Sequence, residues 1–159
     1  MKGHPGEPLM DALNVKTLVV IAFTYRRNGA LVSCKYRDAV KRFWQEVDTE
    51  KIFYGLDDVK NATDIIIVEG EIDKLAMEEA GFRNCVSVPD GAPPKISRKD
   101  VPAPDQASRI ILATDGDPPG QALAEELARR LGRERCWRVK WPKKNEVESF
   151  KDANEVSIM

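Results

Sequence analysis

Histidine and paired cysteines are scarce in this sequence. The only histidine is His4, and Cys34, Cys85 and Cys136 stand singly, with no C-x-x-C pair among the 159 residues. A structural zinc site needs closely paired thiolate or imidazole ligands, so none is expected. Isolated thiols also argue against a disulfide framework and fit a reducing compartment, where each reads as a small buried hydrophobe. Long apolar runs are absent as well. None approaches the roughly 20 residues that a membrane-spanning helix requires, so no membrane partner is expected. Neither sign of charge is in excess: 25 Lys and Arg face 26 Asp and Glu, and overall charge therefore does not mark a polyanion binder. The opening MKGHPGEPLMD has neither the apolar core of a secretory signal nor the Arg-rich, acid-poor character of a transit peptide. Residues 1–16 are expected to form a flexible leader, and no internal repeat is seen.

A chain of this length with 42% apolar residues has enough material for one packed core. Its charges are unevenly placed. Between Glu46 and Glu79 there are 11 acidic and three basic residues, whereas between Arg129 and Lys151 there are nine basic and three acidic. Such a split suits a molecule with one face for cations and another for phosphates.

The first ordered unit is expected to be an antiparallel hairpin. Thr17 to Thr24 and Leu31 to Tyr36 are β-rich runs joined by Arg26-Arg27-Asn28-Gly29, and Asn-Gly favours a tight turn. Arg37 to Leu56 shows no period and reads as a connecting or docking segment. From Asp64 the pattern changes. The apolar run DIIIV ends at Glu69-Gly70-Glu71 and leads into a helix over Ile72 to Ala80, closed by Gly81. A short strand over Cys85 to Val88 follows. Pro89 to Pro104 carries five of the ten prolines and must be a loop, long enough to cover a site. A strand over Arg109 to Thr114 then runs into Asp115-Gly116-Asp117-Pro118-Pro119-Gly120. The next helix shows Leu123, Leu127 and Leu131 on one face and ends at Gly132. Cys136 to Lys140 is the last expected strand, and Lys151 to Val156 the last element. This alternation produces a parallel α/β sheet with helices on its faces, and functional residues gather at the carboxyl ends of such strands.

Glu69, Asp115 and Asp117 occupy those ends. Glu69 leaves a buried strand where Gly70 lets the backbone turn, a position that costs an acid its hydration. Glu71 fits a simpler role, an acid at a helix N-terminus. Asp117 by itself fits an N-cap, but capping explains neither Asp115 nor Glu69. Clustered carboxylates repel one another unless a cation neutralises them, and an all-oxygen set suits Mg²⁺ or Mn²⁺. Asp73, in the first turn after Glu69, is either a further ligand or a residue supporting the ligands.

Together the motifs resemble a known family. VEGEID at Val68 to Asp73 and ATDGDPPG at Ala113 to Gly120 resemble the Toprim signature, in which a Glu ends one strand and an Asp-x-Asp pair ends another. KDANEV at Lys151 to Val156, and the hairpin followed by Lys35-Tyr36-Arg37 and Lys41-Arg42-Phe43, bring the resemblance closest to the phage-type and Twinkle-type primase-helicases. The resemblance covers about residues 17 to 156. It implies a Rossmann-like Toprim sheet over residues 61–159, preceded over residues 17–60 by the hairpin and basic segment of the primase core. It further implies nucleotidyl transfer on single-stranded DNA from nucleoside triphosphates. Asp115 and Asp117 would hold Mg²⁺ or Mn²⁺, Glu69 would be a ligand or general base, and Asp73 a further ligand. Lys35, Arg37, Lys41, Arg42 and Asp152 would meet nucleotide or DNA. For the basic residues, the alternative is an ordinary solvated strand edge. Phe43 or Trp44 would either stack a base or pack in the core.

Neither the cysteine-rich zinc module nor the P-loop motif of complete family members is present, so unwinding is not expected of this chain alone. A full-length primase-helicase or replicative helicase is the protein partner the resemblance implies, in mitochondria or plastids by analogy. Two other functions use the same residues: a Toprim nuclease, or an accessory module that binds single-stranded DNA without catalysis. A type IA topoisomerase is not expected, because Tyr25, Tyr36 and Tyr54 all precede the motif and no nucleophile follows it.

Overall fold

The computed structural model describes residues 19–90 and 107–157. The leader, the first residues of the expected first strand and Gly91 to Gln106, most of the proline-rich loop, lie outside the described residues.

Strands β1 (Val20–Arg27) and β2 (Ala30–Asp38) pair antiparallel. At their tip Asn28 and Gly29 have φ of 52° and 78°, the left-handed pair that a two-residue hairpin turn requires. A third strand, β3 (Phe43–Gln45), continues the sheet by pairing with Lys35, Tyr36 and Arg37 of β2. The expected connecting segment is therefore partly a strand, too short to show a period of its own. The Asp38 carboxylate fixes the turn between β2 and β3, accepting the backbone N–H of Val40 at 3.0 Å and of Arg42 at 2.9 Å.

The second sheet is four-stranded and parallel, in the order β5-β4-β6-β7, with β4 at Asp64–Val68, β5 at Cys85–Ser87, β6 at Arg109–Ala113 and β7 at Cys136–Arg138. Helix α1 (Glu71–Glu79) follows β4, and α2 (Pro118–Leu131) follows β6. A short helix, α3 (Ala153–Ser157), lies beyond β7. After Asp64 and Arg109 at their starts, the two central strands are apolar because both sheet faces are covered. On one face Ile65, Ile67, Ile110 and Leu112 pack with Leu123, Leu127 and Leu131 of α2. On the other, Ile66, Val68 and Ala113 pack with Met77 of α1 and with Trp141. Burying each α2 leucine contributes roughly 1.5–3 kcal/mol.

Both long helices end on glycine as their sequences indicate. After α1, Gly81 takes φ 95°, and the N–H groups of Gly81 and Phe82 return to the carbonyls of Glu78 and Met77 at 3.0 and 2.9 Å. This reciprocal pairing satisfies carbonyls that the helix end would leave free.

The two sheets are locked together in three ways. Tyr54 and Ser87 exchange backbone hydrogen bonds of 3.0 and 3.1 Å across the edge of β5. Phe23, Tyr25 and Ile52 form an apolar cluster against Ile72 of α1. Between them lies Glu71, which is only 5% exposed and so is not the solvated helix acid its position suggests. Its carboxylate accepts from the Tyr25 hydroxyl and, at 2.8 Å, from the Lys35 ammonium. Among the described residues no helix is long and apolar enough to cross a membrane.

Candidate active site

Strands β4 and β6 run in register, with Val68 beside Ala113, so the chain leaves the sheet at adjacent points carrying Glu69 and Asp115. The Asp115 backbone N–H donates to Glu69 Oε2 at 3.1 Å and fixes the two motifs against each other. The turn after β6 is held from several directions. Thr114 Oγ1 donates to the Gly120 carbonyl at 2.7 Å, and Trp141 Nε1 donates to the Thr114 carbonyl at 3.0 Å. The Arg138 guanidinium donates to the carbonyls of Asp115 (2.7 Å) and Gly120 (3.1 Å). From the segment before α3, the Lys151 carbonyl accepts the Gly116 N–H at 2.7 Å. Gly120 is required here, since a Cβ on it would stand 2.2 Å from the Asp115 carbonyl oxygen.

Asp117 is the N-cap of α2 through Oδ1, which accepts the Gly120 N–H at 3.0 Å. Its other oxygen turns toward Asp115, and the Lys151 ammonium lies between the two carboxylates, 3.0 Å from Asp115 Oδ2 and 3.3 Å from Asp117 Oδ2. Capping and clustering are thus combined in one side chain. The Gly120 N–H and Lys151 draw the Asp117 carboxyl below its ordinary range, whereas burial pushes Asp115 up despite Lys151. Glu69 is also raised, chiefly by burial, against the lowering effect of the Asp115 N–H and with a further push from Asp115 and Asp117. Burial raises Asp73 to about 6, although its carboxylate accepts the Asn154 N–H at 3.2 Å. Asp152 caps α3, accepting the Glu155 N–H at 2.8 Å.

A groove of about 520 Å³ separates Glu69, Asp73 and Asp115 from the first sheet, and Asp117 and Asp152 do not line it. Glu69, Gly70, Asp73 and Asp115 form one wall, and Lys35 and Phe43 belong to the other. Lys35 is held there by Glu71 and by the Pro89 carbonyl at 3.1 Å. Arg37 lies with its guanidinium 5.7 Å from the Phe43 ring. Lys41 and Arg42 occupy the β2–β3 turn and do not line the groove; Arg42 pairs with Asp38 at 2.6 Å. Phe43 and Trp44 are 50% and 40% exposed, so neither is core. Trp44 stacks on Tyr36 at 5.7 Å, while Phe43 is on the groove side.

Two residues not singled out from the sequence are central to this geometry. Lys151 opens the KDANEV motif, where the aspartate drew attention, and Arg138 lies in a basic run that also suits helix and strand surfaces. The sequence signal for each was position alone. A second hollow, of about 1060 Å³, lies beyond Asp117 and is bordered by Gln121, Arg133, Arg138, Lys140 and Lys151.

Residues 63–140 match the Toprim domain family. Two curated relatives from Arabidopsis thaliana, the "Twinkle homolog protein, chloroplastic/mitochondrial" and the "Primase homolog protein", are each 64% identical over 154 residues, covering 87% of this chain. The chain spans 22% of the first relative and 46% of the second. Among solved structures, the primase fragment of the bacteriophage T7 primase-helicase is 30% identical with a TM-score of 0.70, over 91% of this chain and 60% of that one. A chain of the T7 lagging-strand polymerase assembly with two primase domains matches at 30% identity and TM-score 0.69, over 91% of this chain and 73% of that one.

The chain belongs to the Toprim family and is related to the primase part of the phage-type and Twinkle-type primase-helicases. The Toprim unit is the parallel sheet with α1 and α2, and the sequence motifs of the resemblance fall at the ends of β4 and β6 and at the start of α3. Toprim domains generally bind divalent metal ions. Among the described residues no three acids, histidines or cysteines stand close enough to hold an ion as placed. The donor chemistry nevertheless fits such an ion. Asp115, Asp117 and Glu69 offer carboxylate oxygens only, and a cationic group, the Lys151 ammonium, already sits between two of them.

Proposed function

We propose that this chain is a DNA primase-type nucleotidyltransferase core, acting on single-stranded DNA with nucleoside triphosphates and Mg²⁺ or Mn²⁺. The observation that carries this reading is the placement of Glu69 and Asp115 at adjacent strand ends, on a groove whose opposite wall carries a lysine and an exposed aromatic ring, with Asp117 joined to Asp115 through the Lys151 ammonium. Residues 17–60 would then supply the nucleic-acid-facing wall and residues 61–159 the Toprim unit, with residues 1–16 a leader.

In this reading Asp115, Asp117 and Glu69 are the metal-holding acids, with Asp73 and Asp152 nearby. A bound divalent cation would supply charge neutralisation for the nucleotide phosphates and the departing pyrophosphate. Glu69, kept raised by burial, suits proton uptake from the primer 3′-hydroxyl. Arg37 and Lys41 would contact phosphate without reading base identity, and Lys35, held by Glu71, would face the nucleotide from the groove wall. Arg42 would contribute at the turn it shares with Asp38. The names of the relatives support a role in DNA replication, in mitochondria or plastids, beside a full-length primase-helicase or replicative helicase.

The test is incubation with single-stranded DNA, labelled ribonucleotides and Mg²⁺ or Mn²⁺, beside Glu69→Gln and Asp115→Asn. Short labelled oligomers that fall by at least about 100-fold in both folded variants are expected, the scale of losing a group that stabilises transition-state charge. Synthesis unchanged in Asp115→Asn would sink the reading. Metal-dependent cutting of DNA without nucleotides would make the chain a Toprim nuclease, and DNA binding indifferent to metal and without turnover would make it an accessory module.

A further inference from the structure

The geometry points to Lys151 as a built-in counter-ion that competes with a divalent cation for Asp115 and Asp117 and gives way when cation and nucleotide phosphates arrive together. The inference rests on the nucleotidyl-transfer reading and deepens it.

Among the described residues, Lys151 and Arg138 are the cationic side chains that bond to the Asp-x-Asp turn, and they are held differently. Arg138 donates to carbonyl oxygens of Asp115 and Gly120 and to Thr114, so its charge is tied to the backbone that shapes the turn. Lys151 meets the carboxylates themselves, at 3.0 and 3.3 Å, on the oxygens turned away from the N-cap bond. Lys151 thus occupies carboxylate oxygens of the two residues that would hold a divalent cation. One position cannot hold an ammonium and a divalent ion together, because like charges so close repel strongly in a half-buried site.

Displacement is mechanically simple. The Lys151 backbone stays anchored, its carbonyl to Gly116 and its N–H to Glu155 Oε2 at 2.6 Å. The side chain is 52% exposed and flexible, so the ammonium can leave without disturbing the turn. It borders the hollow that also holds Arg133, Arg138 and Lys140. An ammonium released there beside a cation-bound polyphosphate finds a new anionic partner. A free cation brings no such partner and has to expel the lysine into water. The site therefore favours metal delivered with phosphates over metal alone, which keeps the acids neutralised between substrates.

The experiment measures Mn²⁺ affinity by electron paramagnetic resonance, with and without ATP, for the wild type, Lys151→Met and Lys151→Arg. Lys151→Met keeps the side-chain length without its charge, and Lys151→Arg retains the charge and controls for loss of fold. The expected result is about tenfold tighter binding of free Mn²⁺ by Lys151→Met. ATP should tighten Mn²⁺ binding in the wild type and in Lys151→Arg, and much less in Lys151→Met. Equal or weaker free-Mn²⁺ binding by Lys151→Met overturns the inference and leaves the nucleotidyl-transfer reading intact. Absence of Mn²⁺ binding in every form, with or without ATP, overturns both.

Discussion

Glu69 and Glu71 are two residues apart and serve different ends of the same structure. Glu71 turns into the junction between the sheets, where Lys35 is 15% exposed and the carboxylate side chain 6%. Burial and the Glu71 charge together push the Tyr25 hydroxyl well above its ordinary range, so it stays a hydrogen-bond donor at any working pH. Removing the carboxylate leaves the Tyr25 hydroxyl buried without its partner and the Lys35 ammonium with only the Pro89 carbonyl at 3.1 Å and Asp90 at 4.0 Å. Glu71→Ala is expected to lower stability by roughly 3 kcal/mol, the usual cost of breaking a buried pair from one side, as read by urea unfolding. A loss below about 1 kcal/mol would mean that water replaces the carboxylate and the junction is looser than drawn. Gly120 poses the opposite problem, excess of matter. Gly120→Ala puts a methyl group into the Asp115 carbonyl, and the backbone shift needed should cost about 1–3 kcal/mol. Because Asp115 moves with that backbone, Mn²⁺ binding should weaken along with stability. Full Mn²⁺ affinity in the variant would show that the carboxylate position does not depend on this turn.

At the scale of elements, the parallel unit was readable where the residue pattern is dictated by burial. DIIIV and RIILA are apolar on both faces because helices cover both, and the α2 leucines recur every fourth residue because one face meets the sheet. Asn28-Gly29 was readable because few other pairs accept two left-handed conformations in succession. β3 was not readable: three residues cannot display alternation, and their pairing with Lys35 to Arg37 is set by tertiary contact. The same limit hid the buried role of Glu71, since an acid in the first turn of a helix looks alike whether it faces solvent or a neighbouring sheet. Of the candidate site, the three strand-end acids were legible because an acid after an apolar run is costly without a purpose. Lys151 was not, because a lysine beside an aspartate in a surface motif carries no sign of which acids it meets. The leucine face offers a direct check. Leu127 is fully buried in the middle of α2, and Leu127→Ala is expected to cost about 2–5 kcal/mol in urea unfolding, with the acidic site left in place for whatever fraction stays folded. A cost below about 1 kcal/mol would show that α2 does not seal that face of the sheet.

For the whole molecule, the acids that hold the groove are also a reservoir of pH dependence. Asp73 connects α1 to the start of α3 through the Asn154 N–H, and burial raises its carboxyl from 3.8 to about 6, with Asp152 and Asp115 pushing the same way. A carboxyl raised on folding favours the folded state while it is protonated. Its contribution is thus fully present below about pH 4, falls as the pH rises through about 6, and is gone at neutrality; the difference amounts to about 2–3 kcal/mol. Glu69 and Asp115 are shifted in the same direction and add to the fall. Asp38, Asp117, Glu126 and Glu155 are shifted downward and act oppositely, losing their contribution in more acidic solution. The metal-free protein is therefore expected to become less stable as the pH is raised from about 4.5 to 7, although most proteins gain stability over that range. Urea unfolding in the presence of a chelator should show this decline, and Asp73→Asn, which cannot ionise, should remove the Asp73 share of it and be the more stable form at pH 7. Parallel pH curves for the two proteins would mean that Asp73 ionises as freely in the fold as out of it. If the decline is seen, millimolar Mn²⁺ should reverse part of it at pH 7 and do little at pH 4.5, because the carboxylates whose ionisation in a buried place costs stability are the ones that would bind the cation.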